Sequence, residues 1–161
     1  MHDLLAGIEA SSLGRIVRES GAWTYAWVNL AHIVGVASLF GAILVLDLRL
    51  LGVGRRLPLA PLAAAVIPVA KTGFLLAAAS GIALLSANAT DYAGNPFLLI
   101  KFAAIALGLA NAVLLGRSTA WSAAHEGIAT SAQVRRVTLM GGISLASWLT
   151  AVGAGRMIGY W

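Results

Sequence analysis

Four long apolar runs constrain this chain more than any other feature. They extend from Trp23 to Leu46, from Pro61 to Ser86, from Pro96 to Gly116 and from Val137 to about Ile158. A bilayer core takes about 20 helical residues to cross, and each run supplies that length. Spanning β-strands alternate in polarity over about 10 residues, and these runs do not alternate. The reading is therefore all-α: an integral membrane four-helix transmembrane bundle, with an N-terminal amphipathic interfacial helix. One four-span domain occupies residues 1–161, with spans of about 23–47, 61–86, 96–116 and 137–158. Only 11% of the residues are charged and 60% are hydrophobic, against about 25% charged in soluble domains. That scarcity of charge excludes a cytosolic enzyme, a disordered tail and a coiled coil.

The charges that remain orient the chain. Arg49, Arg55 and Arg56 follow the first span, and Arg117, Arg135 and Arg136 separate the third from the fourth. The connection from Ala87 to Asn95 carries only Asp91. The positive-inside bias puts the two arginine-bearing connections in the cytoplasm and both termini in the periplasm or exterior. The net charge of +5 is thus spread over span ends, and no nucleic-acid surface is expected. Met1 to Ser20 lacks the basic start of a signal peptide. Leu4, Leu5, Ile8, Leu13, Ile16 and Val17 mark instead an amphipathic helix on the outer leaflet, with a break near Ser11–Ser12. Ser118 to Gln133, carrying Trp121, His125 and Glu126, reads as a second interfacial element. Trp23, Tyr25, Trp27, Tyr160 and Trp161 stand where interface anchors belong.

Ionisable groups at membrane depth are costly and mark candidate sites. His32 lies nine residues beyond Trp23, about 13 Å deep at 1.5 Å per residue. Tyr25, Asn29 and His32 share one helical sector, which Asp47 continues toward the inner end, so this stripe is expected to face the bundle interior. His32 suits a cofactor or metal ligand, a proton relay, or a hydrogen bond to a neighbouring helix. Lys101 and Arg156 approach the outer layer from spans three and four. They either anchor helix ends by snorkelling or, with His32, form a cationic cluster for haem propionates, a quinone head group or a lipid phosphate. Lys71 sits mid-span, three residues after Pro68, whose ring frees a backbone carbonyl one turn back. Lys71 then needs a partner, either that carbonyl or Asp47, and the pair Lys71 and Asp47 are candidates for gating or relay. Asp47 and Arg49 also read as a polar lock at the inner end.

Small residues set where helices meet in lipid, because apolar burial does not drive them together there. Ala104, Gly108 and Ala112 form one such stripe below Lys101. Ser144, Ser147, Ala151 and Gly155 form another, and Gly35, Ser38, Gly41 and Ala42 a third. Catalytic constellations are missing: the sequence has no glycine-rich phosphate loop, no HExxH, no paired carboxylates and no cysteine. His2 and His125 lie outside the spans, so one chain cannot supply bis-histidine haem ligation. A haem b would use His32 alone, His32 with Lys or Met157, or two His32 side chains across a homo-oligomer. Copper would need His, Met or carboxylate ligands, and Met140 and Met157 are too far apart along the fourth span to share a site.

The segments ASSLGRIVRES, WVNLAHIVGVASLFGAILVLDLRLLG, NPFLLIKFAAIALGLAN and SWLTAVGAGRMIGYW resemble an uncharacterised bacterial family of four-span integral membrane proteins. The resemblance covers nearly the whole chain and implies the fold but no established activity. More distantly, LLIKFAAIALGLAN is similar to a span of the membrane domain of copper-resistance protein D. A first-span histidine with a later lysine resembles the membrane-bound protoporphyrinogen oxidase family, which is associated with b-type haem. These likenesses fall on His32, Lys101 and Asn111. The leading expectation is a small redox-associated membrane protein that binds haem b or a quinone in the outer half of the bundle. A copper or small-solute permease is the first alternative. A non-catalytic subunit of a larger membrane complex, packed by its small-residue faces, is the second.

Overall fold

The computed structural model describes residues 2–161 and is 86% helical, with no strand among the described residues. In order the helices are α1 (His2–Glu9), α2 (Ser12–Glu19), α3 (Gly21–Leu50), α4 (Leu59–Ala87), α5 (Pro96–Gly116), α6 (Thr119–Glu126) and α7 (Ser131–Met157), with 3-10 turns at Ala89–Tyr92 and Ile158–Tyr160. Four of them, α3, α4, α5 and α7, are long and apolar enough to cross a membrane. The chain is an all-α, multi-pass membrane protein. Contacts divide it into two compact units, Met1–Leu39 with Lys71–Pro96 and Phe40–Ala70 with Phe97–Trp161. Helices α3 and α4 each give one part to each unit.

The third span begins at Pro96 as expected, because proline suits the first helical turn. The fourth helix begins at Ser131 rather than Val137. Thr130 caps it, its hydroxyl accepting from the Gln133 N–H while the Gln133 side chain accepts from the Thr130 N–H. That reciprocal cap satisfies helix-start donors and extends the helix through the polar turn bearing Arg135 and Arg136. The expected interfacial element is shorter for the same reason: α6 ends at Glu126, and Gly127 takes a left-handed φ of 74° as its cap. No break follows Pro68, and α4 runs unbroken from Leu59 to Ala87. Polar α3 residues Asp47 and Arg49 precede a turn where Gly52 and Gly54 take positive φ. Arg49 donates there to the carbonyls of Leu57 and Arg55.

In the first unit α3 and α4 pack almost backbone to backbone. A Cβ placed on Gly35 would stand 2.6 Å from the Ala77 nitrogen, and one on Gly73 2.6 Å from the Leu39 nitrogen. Only glycine permits that approach, the small-residue packing that association in lipid favours.

The N-terminal segment is two helices, and the break falls at Ala10–Ser11, where Ser11 caps α2 by accepting from the Gly14 N–H. Leu5 and Val17 are buried while Ile8 and Ile16 are exposed; the side chains of Leu4 and Leu13 lie outside the described residues. Polar bonds strap this segment to the connection after α4. The Glu9 carboxylate accepts from the Thr90 hydroxyl and the Thr90 N–H, and pairs with Arg18, which donates to the Ala87 carbonyl.

The two Thr90 bonds, with Arg18 beside them, hold the Glu9 carboxyl below its ordinary value of 4.5. A lowered folded value means the ionised strap contributes fully above the ordinary glutamate range and is lost as pH falls through the folded value. Amide protection factors over residues 12–19 and 89–92, taken against the intrinsic exchange rate at each pH, should therefore fall on acidification below that range in the wild type. Glu9→Gln should show low protection factors throughout, with no such pH dependence. Equal acid sensitivity in the variant would contradict the strap.

The second unit packs its apolar core from Leu50, Leu59, Leu115, Ala120, Val137 and Met140, with Leu46 and Trp121 against it. Gly108 faces the Trp148 indole, 3.0 Å from where its Cβ would stand. The buried face of α5 is Leu98, Ala104, Gly108, Asn111 and Leu115. Ala112, expected on that face, is exposed. The face turns toward Asn111 because its amide donates 2.9 Å to the Met140 carbonyl on α7. A buried amide bonded across helices is worth more in lipid than another alanine contact. On α7, Ser144, Ser147 and Ala151 are buried as expected, and Gly155 is half-buried.

Candidate functional site

The histidine of α3 is held by α4. His32 is half-buried, with Nδ1 2.9 Å from the Ala77 carbonyl oxygen and 3.2 Å from the Ser80 hydroxyl oxygen. A carbonyl only accepts, so the bond to Ala77 puts the ring proton on Nδ1. The Ser80 hydroxyl donates to the Leu76 carbonyl at 2.5 Å, so toward the imidazole its oxygen is an acceptor as well. In a neutral ring Nε2 would then be the nitrogen that carries the lone pair. Donation from one ring nitrogen to a carbonyl is the outer-sphere arrangement that orients histidine ligands.

The ring also needs the space at Gly81, where a Cβ would stand 3.0 Å from the His32 Cε1. Gly73, Ala77 and Gly81 repeat at four-residue spacing along α4, and this stripe, with Ser80, is what sequence reasoning missed. Its periodicity of small residues was the available signal. Gly81→Ala should push the imidazole off Ala77 by a few tenths of an ångström or more. The His32 Nδ1 proton resonance should then lose its hydrogen-bonded shift, and an unchanged resonance would contradict this account of the ring's position.

The stripe predicted to face inward does so only in part. Asp47 is buried, but Tyr25 and Asn29 are exposed. Both lie in the first turns of α3 beside Trp23, 81% exposed, and Trp27, 66% exposed. At that level headgroups and water satisfy a phenol or an amide, so no energetic pressure turns them inward. Tyr25 instead has Tyr92 nearby. Burial, then Tyr25 and Asp91, pushes the Tyr92 phenol above its ordinary value. Tyr92 was not singled out in the sequence, because a lone tyrosine in a connection carries no pattern.

Lys71 also departs from expectation. It is exposed, and no hydrogen bond or ion pair joins it to another described residue. Asp47 takes its hydrogen bond from Ser144 and Arg49 bonds loop carbonyls, so Asp47 and Arg49 do not lock to each other. In the second unit Lys101 is half-buried, its Nζ 3.6 Å from where a Cβ on Gly155 would stand. Arg156 donates to the Tyr160 hydroxyl and lies over that ring at 4.6 Å, which makes it a helix-end anchor. His32 belongs to the first unit, and Lys101 and Arg156 to the second.

Among the described residues no group of three or more His, Asp or Glu side chains is placed to hold a metal ion. A cleft of about 200 Å³ opens in the second unit, between Leu50, Leu59, Val134 and Val137 with Arg49 and Thr138 on its wall. Its polar groups are already used: Arg49 on loop carbonyls and Thr138 on the Leu50 carbonyl. Among the described residues, His32 is an intramembrane side chain whose ring is held by a carbonyl of a neighbouring helix. No protein-family model matches the chain, and neither does any curated protein or solved structure to which it was compared.

Proposed function

We propose that this is a small redox-associated protein of the bacterial inner membrane that binds haem b through His32. The observation that carries the reading is the 2.9 Å bond from Nδ1 to the Ala77 carbonyl. It fixes the tautomer in which Nε2 is a lone-pair donor, and a carbonyl partner raises the basicity of a ligating imidazole. The same bond argues against a quinone carbonyl as partner, since Nε2 then has no proton to donate. A quinol hydroxyl, which donates, is the second reading. Haem b, when bound, would supply one-electron transfer. The chain's own part is to orient the imidazole, to give it room at Gly81 and to keep it within apolar helices. One chain offers a single intramembrane histidine, so bis-histidine ligation would take His32 from a second copy. Copper transport is disfavoured by the lack of clustered ligands among the described residues. Lys101 and Arg156 are not required by this reading. The arginine-bearing connections favour termini in the periplasm.

The test is the absorption spectrum of protein purified in mild detergent from its native membrane, oxidised and reduced, with quinones extracted from the same sample. A Soret band with reduced b-type bands supports haem, and a stoichiometric quinol without a Soret band supports the second reading. Protein that carries neither overturns both.

A further inference from the structure

A carboxyl group buried in the second unit is left incompletely bonded. Asp47 is 3% exposed, and its Oδ2 has no hydrogen-bond partner among the described residues. The Ser144 hydroxyl of α7 lies beside the carboxyl group. Close helix packing puts it there. A Cβ on Gly141 would stand 2.9 Å from the Leu50 Cβ and 3.6 Å from the Asp47 carbonyl oxygen, and Ser144 follows on the same face of α7.

Among the described residues no cation pairs with the carboxyl group. The part of α4 in this unit, Leu59 to Ala70, carries no titratable residue. Arg49 of α3 donates to Leu57 and Arg55, and Arg156 of α7 is taken by Tyr160. His125 of α6 stacks edge-on against Trp121. None of these, nor Arg55, Arg56, Lys101, Arg117, Arg135 or Arg136, is joined to Asp47 by an ion pair among the described residues. Glu126 is the remaining charged group of α6 and could only repel a carboxylate. An ionised carboxylate with one neutral hydroxyl partner, shut away from water, is too costly to keep.

A metal ion or a proton can relieve it. Hard cations such as calcium take about six to eight oxygen ligands, and no acidic cluster adjoins Asp47 among the described residues. A proton needs only Oδ2. We infer that Asp47 is a proton-binding site: the carboxyl group is neutral when α3 and α7 pack at Gly141, and releases its proton only when that contact opens. The step is balanced as written, the carboxylic acid giving a carboxylate and a proton passed to water. Ionisation leaves a charge between the helices, so proton release and separation of α3 from α7 are linked.

Infrared spectra of wild-type protein with unlabelled and 13C-carboxyl aspartate test this. The aspartates are Asp3, Asp47 and Asp91; Asp3 and Asp91 lie outside the spans and serve as carboxylate references. At neutral pH an isotope-sensitive carbonyl band of a protonated carboxyl group is expected. It should vanish in Asp47→Asn, move in frequency in Ser144→Ala, and disappear in alkali together with a change in tryptophan emission from Trp121, which packs against the apolar core that includes Leu50. Isotope-sensitive absorption confined to the carboxylate region at neutral pH would overturn the inference, as would a protonated band that persists in Asp47→Asn. The labelled wild type decides the matter even if a variant fails to fold.

Discussion

Alanine at Gly73 is expected to destabilise the first unit by about 3 kcal/mol, near the top of the range for overpacking. The added methyl would stand 2.6 Å from the Leu39 nitrogen and 2.9 Å from the Gly35 carbonyl oxygen. Both obstacles are backbone, so no side-chain rotation relieves the clash and the helices must move apart. In lipid no hydrophobic term compensates, because the surface uncovered is as well solvated by acyl chains as by protein. Gly35→Ala should behave alike, since its methyl would meet the Ala77 nitrogen at 2.6 Å. Gly41→Ala is the control: nothing lies within 4 Å of its added carbon, and its effect should be within about 0.5 kcal/mol. Unfolding in mixed micelles measures the difference. Equal stabilities for Gly73→Ala and Gly41→Ala would contradict the close crossing of α3 and α4.

The second large effect concerns His32, where two substitutions separate its structural role from its ligand role. Asparagine carries an amide N–H that can take the place of Nδ1–H on the Ala77 carbonyl, but it has no equivalent of Nε2. Alanine loses both. Interhelical hydrogen bonds in membranes are worth about 0.6 kcal/mol on average and at most about 1.7, so His32→Ala should be destabilised within that range and His32→Asn less. On ligand content the two should agree: each is expected to lose bound haem at least tenfold. If His32 only ties the helices together, His32→Asn would keep whatever cofactor the wild type carries.

The spans were legible because lipid imposes one requirement, length of apolar sequence, that side-chain detail cannot override. Helix ends were less so. Arg135 and Arg136 read as part of a connection, yet they sit inside α7 because the Thr130–Gln133 cap starts the helix before them. Which small residues face a neighbour was legible only where the contact is made by absence of side chain. Ala112 and Asn111 differ by one position and about 100°, and a single amide-to-carbonyl bond settles the face in favour of Asn111. The candidate site was half legible. His32 stands out in any reading of ionisable groups at depth, whereas Ala77 contributes only a backbone carbonyl, which no sequence pattern announces. Asp47 is visible in the sequence, but Ser144 reads there as one small residue in a stripe, and its hydroxyl matters more than its size.

Lys71 is the residue whose placement most changes its expected role. It lies exposed near the middle of α4, after a proline that the helix accommodates. Its exposure leaves the ammonium to snorkel along the helix.

On the proposed reading, His32 would hold haem b through Nε2. The most direct measurement is Soret absorbance per mole of folded protein in wild type and His32→Asn, both purified from the same membranes under the same conditions. The prediction is a b-type Soret band in the wild type and at least a tenfold loss in a variant whose helical content is unchanged. Equal Soret absorbance in the two proteins, or none in the wild type, contradicts it.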